Sequence, residues 1–193
     1  SYEGLQAVWL DLGTTLPKLA TIETKLKQAC AIVRQLERDN PSLQGQVSIV
    51  AVPPFKLLQS VLAALPEVVA SRLPSSAPEA FTNVRKTKNW SLLVVINPKF
   101  SLNIYGLEAF LERQEFLYNQ HDCRGLGLQE LIAAELQGVQ TVCQNNWTVL
   151  LKDHIGHQAV ASATLDNGQI ILKTEDADCL LGENYLRLAI TVS

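Results

Sequence analysis

Two uncharged runs, VSIVAV at Val47–Val52 and WSLLVVI at 90–96, constrain the fold of this chain more than any other feature. Neither alternates apolar with polar residues, so neither can leave one face in water; each reads as a strand covered on both sides. Pro53-Pro54 ends the first run and Asn97-Pro98 the second, since proline lacks the N–H that a sheet ladder needs. The covering layers require apolar residues elsewhere, and the 193-residue chain, 47% hydrophobic, has enough for a core of useful size.

Helical periodicity marks one such layer. Leu19, Ile22, Leu26, Ala29, Val33 and Leu36 recur at three- and four-residue intervals, which predicts a helix capped near Thr14 or Thr15 and running to about Arg38. Asn40-Pro41 stops it. The same stripe has the spacing of a coiled-coil seam, but packing inside its own domain is the preferred reading. Further helices are predicted over 55–73, kinked or divided at Pro66, over 100–118, and over a short stretch from Leu128 to about Gln137. A strand is expected over 5–12. HDCRG, His121 to Gly125, reads as a polar turn.

The tail changes character, with strands predicted over 147–152, 159–165, 169–173 and 186–192. Asp166-Asn167-Gly168 is the strongest hairpin signal, because Asn and Gly tolerate the positive φ of a tight two-residue turn. In the last strand Leu186, Leu188, Ile190 and Val192 alternate with Arg187, Ala189 and Thr191, which predicts one buried and one wet face. Strand–helix alternation upstream predicts parallel crossovers. The expected class is therefore α/β: a mixed sheet flanked by about four helices, with an antiparallel C-terminal hairpin region. The Pro- and Ser-bearing stretch 74–89 divides a strand–helix–strand–helix lobe over 1–75 from a second α/β lobe over 76–193, unless the two form one continuous domain.

Charge narrows the function classes. The formal net charge is -3, and the densest basic cluster is Arg85, Lys86 and Lys88, too sparse for a polyanion, so nucleic acid is not an expected ligand. No apolar run reaches the ~18 residues of a bilayer-spanning helix, so no membrane partner is expected. Cys30, Cys123, Cys143 and Cys179 lack Cys-x-x-Cys spacing, as in reduced thiols of a cytoplasmic protein. The chain has no methionine and begins at Ser1, as expected of a piece of a longer protein.

Motifs for phosphate loops, dinucleotide folds, nucleophile elbows and zinc proteases are absent from the sequence. His121, Asp122 and Cys123 adjoin, but neighbours on a turn point apart, whereas a Cys–His pair must converge. His154 and His157, with Cys143 or Cys123, offer zinc-type ligands without a second closely spaced pair. No catalytic residue, metal or cofactor is expected.

The segment NWSLLVVINPKFSLNI, Asn89 to Ile104, resembles the signature of DICT domains, sensory modules of bacterial signalling proteins. In that family a tryptophan precedes an apolar strand, followed by a short turn with a proline and an aromatic residue that starts a helix; Trp90, Leu92 to Ile96, Pro98 and Phe100 stand in that order. Asn89 replaces the acid common there, and the helix over 55–73 and the C-terminal hairpins have no counterpart. The resemblance implies a non-catalytic sensory or regulatory binding module of a larger signalling protein, which recognises a neighbouring domain, another protein or a small molecule. Trp90, Pro98 and Phe100 are its candidate ligand-binding residues. The alternative is an adaptor or assembly subunit that binds another protein through the first helix or a sheet edge.

Overall fold

The two uncharged runs pair with each other. A computed structural model of the chain describes residues 18–54, 72–74, 78, 81, 90–96, 102–103, 122–142, 147–155, 159–176 and 184–192. Strand β1 (Val47–Val52) lies antiparallel to β2 (Ser91–Ile96) along its whole length, from Val47 opposite Ile96 to Val52 opposite Ser91. Strand β9 (Leu188–Val192) takes the other side of β2, and β4 (Asp122–Gly125) flanks β9, so the first sheet runs β1-β2-β9-β4. The second sheet runs β3-β8-β5-β6-β7. Its strands are β3 (Leu102–Asn103), β5 (Thr148–Ile155), β6 (Ala159–Asp166), β7 (Gln169–Asp176) and β8 (Asn184–Leu186).

This overturns the expected mixed sheet flanked by about four helices. The described residues hold two α-helices, α1 (Leu19–Asp39) and α2 (Leu128–Leu136), with nine strands in two sheets. Every strand pairing is antiparallel except β5 with β8. Parallel crossovers were expected because strands alternate with helical periods, but β9, the last strand in the chain, enters beside β2, a pairing that no local pattern encodes. Leu102–Asn103, inside the helix predicted over 100–118, pairs with β8, and Arg72 and Leu73 turn where the helix over 55–73 was to continue. The remainder of those two segments and the strand over 5–12 lie outside the described residues.

Both faces of the first sheet are covered, as the uncharged runs require. On one side Ala51, Leu92, Val94, Ile96, Leu188, Ile190 and Val192 pack with Ala29, Ile32 and Leu36 of α1. Within the stripe Ile22, Ala29 and Leu36 are buried and Leu26 and Val33 half-buried, so it packs inside its own domain, and past the helix end the Asn40 Oδ1 accepts from Ser42 N at 3.3 Å to cap the short 3-10 turn Pro41–Leu43. On the other side Val50, Val52, Leu93, Val95 and Ala189 meet Leu131, Ile132 and Ala134 of α2 and the inner residues of the second sheet, such as Val149, Ala163 and Leu172. The last strand therefore has no wet face: Ala189 is buried, and Arg187, at 1% exposure, interrupts the chain where it leaves the second sheet for the first. The turn at Asn167-Gly168 forms with φ of 47° and 80°, the positive values its residues tolerate. Leu73 and Phe81, close to or within the stretch 74–89, belong to the core that the two sheets share.

Candidate functional site

Helix α2 lies between the sheets, and its residues 128–134 are all buried, including Gln129 and Glu130. A helix covered on every side should be apolar throughout. Its two glutamates therefore need specific partners, and each heads a cluster of charged and polar groups at one end of the helix.

At the N-terminal end, Arg124 reaches from β4 and grips Glu130 with two parallel bonds, Nη1 to Oε1 at 2.6 Å and Nη2 to Oε2 at 2.5 Å. Arg124 Nη2 also donates to Thr191 Oγ1 on β9 at 3.2 Å, and Lys152 Nζ on β5 lies 3.5 Å from Glu130 Oε1. The Gly127 N–H donates to Glu130 Oε1 at 2.7 Å, which returns the third helical residue to the cap. A second carboxylate, Asp153 on β5, accepts from Leu128 N at 2.6 Å. The opening N–H groups of α2 thus meet two acids, where the helix dipole favours negative charge.

The electrostatics separate the two acids. Burial would push the Glu130 carboxyl up, but the Arg124 guanidinium, Lys152 and the Gly127 N–H outweigh it and hold the group below its ordinary value. Burial pushes Asp153 up, with the nearby Glu130 charge adding to the effect, against the opposing pull of the Leu128 N–H. Two carboxylates driven apart in this way are a pattern found in acid–base pairs. Here, however, both oxygens of Glu130 are engaged by Arg124, which removes it as a proton acceptor at neutral pH.

Gly127 stands at the crowded centre of the cluster. Its φ of -87° suits any residue, but a Cβ there would lie 2.7 Å from Lys152 Cε and 2.8 Å from Glu130 Oε1. Leu126, just before it, joins the sheets: its N–H donates to Arg187 O at 2.8 Å, and its carbonyl accepts from Lys152 N at 3.1 Å. The cluster therefore fastens β4, α2 and β5 where the two sheets meet.

At the other end of α2, Glu135 Oε1 accepts from Thr141 N and Oγ1, both at 2.8 Å, while Arg72 Nε lies 3.5 Å from Oε2. Burial pushes Glu135 up, only partly countered by Thr141 and Arg72. Arg187 Nε donates to Thr141 O at 2.9 Å, and Arg72 Nη2 to Val142 O. Gln137, just past the helix, pairs with the edge of β1: its Oε1 accepts from Ala51 N at 2.9 Å and its Nε2 donates to Ala51 O at 2.6 Å.

The residues singled out in the sequence fall mostly elsewhere. Trp90 is half-buried against the α1 core at the start of β2, and Pro98 and Phe100 lie outside the described residues. The length of β2 sets Trp90 roughly 20 Å from the strand's far end at Ile96. HDCRG is not a turn, since Asp122–Gly125 pairs with β9, Cys123 standing opposite Ile190. His154 is an exposed residue of β5 opposite Val160. His121, Cys143 and His157 lie outside the described residues, among which no group of three His, Cys, Asp or Glu side chains could hold a metal. Glu130 was not singled out in the sequence; its place three residues after Gly127 is the one local signal that could have found it, whereas its Arg124 and Lys152 partners come from separate strands.

Comparison with family models, curated proteins and solved structures finds no match for this chain. Among the described residues no helix is long and apolar enough to cross a membrane.

Proposed function

We propose that this chain is a non-catalytic regulatory binding module of a larger cytoplasmic signalling protein, acting through contacts with a neighbouring domain or another protein. The supporting observation is the use made of its buried charge. Glu130 has both oxygens on Arg124, Asp153 caps α2, and Glu135 holds Thr141 and faces Arg72, so these groups serve the joint between the sheets. A rigid two-sheet body of this kind transmits contact well, because packed layers shift as units. The likeness of 89–104 to the DICT signature supports a sensory role, with Trp90, Pro98 and Phe100 as the place where a small molecule would act. An adaptor that joins other proteins through a sheet edge is the second reading, and the eight-residue strand β7, outermost in its sheet among the described residues, favours it.

Hydrogen exchange on the full-length protein and on this chain alone tests the proposal. Docking of a neighbour should protect amides in the full-length protein that exchange freely in the isolated chain. Identical exchange in both, together with a turnover that Asp153→Asn abolishes in a folded protein, would replace binding with catalysis. Rapid alkylation of Cys123 by iodoacetamide near neutral pH would do the same through a thiol nucleophile.

A further inference from the structure

Strand β7 ends the second sheet among the described residues, and its outer edge follows a strict alternation. The Ile170 N–H points away from β6, since it donates to Arg72 O at 2.7 Å. The β6–β7 register is continuous from Asp166 opposite Gln169 to Ala159 opposite Asp176, so the N–H and C=O of Leu172 and Thr174 also point outward. Thr174 and its neighbour Lys173 are exposed, and Glu175 is half-buried.

We infer that this edge pairs with the same edge of a second copy of the chain, antiparallel about a two-fold axis between the two Thr174 residues. The argument is charge complementarity. In that register Thr174 meets Thr174 of the other copy as a hydrogen-bonded pair, and Lys173 stands opposite Glu175, twice. Lys173 and Glu175 then occupy non-hydrogen-bonded positions, where side chains across two strands approach most closely. An edge with charges normally resists pairing. Opposite charges two residues apart on one face instead favour this register, since centring the pair on Lys173 or on Glu175 would set like charges directly opposite each other. Centring the pair on Leu172 would set Lys173 against Ile171 and would need the Ile170 N–H, which Arg72 already holds. The resulting dimer is isologous and continues the five-stranded sheet of one copy into that of the other.

Sedimentation equilibrium over a concentration series reads the association, with charge reversals to identify the edge. The wild type should show a monomer–dimer equilibrium that weakens with added salt. Lys173→Glu or Glu175→Lys alone turns two attractive contacts into two repulsive ones and should weaken the dimer by about tenfold or more. The double variant Lys173→Glu/Glu175→Lys restores complementarity and should recover most of the wild-type affinity. Thr174→Pro removes an outward N–H without taking a bond from the β6 ladder and should also abolish association; circular dichroism verifies that each variant is folded. A wild type monomeric at every concentration overturns the inference. So does a dimer indifferent to the single reversals, or one that the double reversal does not restore.

Discussion

Glu130 carries several charged contacts at once, because its carboxylate holds Arg124 and the start of α2 together in a buried place, with Lys152 close by. Glu130→Gln would leave the Arg124 guanidinium without its counter-charge, and breaking such a pair costs on the order of 3 kcal/mol. The sign of the pH effect follows from its lowered pKa. The contribution is complete above the ordinary carboxylate range and is lost as pH falls through the lowered folded value. Urea unfolding at neutral pH should therefore separate wild type from Glu130→Gln, and the gap should close in acid. Asp153 has the opposite sign: its folded pKa is raised, so its favourable contribution is present at low pH and disappears as pH rises through that value. Asp153→Asn keeps an oxygen for the Leu128 N–H and removes the buried charge, so its stability at neutral pH should equal or exceed that of wild type. Asp153→Ala removes the cap and should lose about 1 kcal/mol in the same assay.

At the scale of elements, the connection between α2 and β1 is held by Gln137, whose amide imitates the next strand residue at Ala51. Gln137→Leu would strand one N–H and one C=O at that edge, and a loss of about 2 kcal/mol in thermal or urea unfolding is expected. The elements themselves were legible to different degrees. The α1 stripe, the strand Val47–Val52 and the Asn167-Gly168 hairpin were readable, because each is fixed by periodicity or by φ preference within a few residues. The strand at Asp122–Gly125 was not, since DCRG has no strand periodicity and pairs only because β9 supplies a ladder. Likewise Arg187 looked solvent-facing by alternation, yet it is enclosed where its chain changes sheets and donates to Thr141 O.

At the scale of the whole molecule, the shared core crosses the boundary suggested by the stretch 74–89. Val50 and Val52 pack in one cluster with Leu126, Val149 and Ala189, and β1 pairs with β2 along its full length. Segments joined in this way should unfold together, so tryptophan fluorescence and far-ultraviolet circular dichroism should report one coincident urea transition. Native-state hydrogen exchange should find the slowest amides in β2 and β9, the interior strands of the doubly covered sheet. Sequence alone determined which stretches had to be buried on both sides and where the tight hairpin falls, because hydrophobic patterning and φ preference act over a few neighbouring bonds. Only the tertiary structure decided that the final strand enters beside β2, that the sheets are built almost wholly of antiparallel pairs, and that Arg124, Glu130, Lys152 and Asp153 meet at the start of α2. Apart from Arg124 and Glu130, six residues apart, those contacts join residues well separated in the chain, so their energies depend on distances that folding creates.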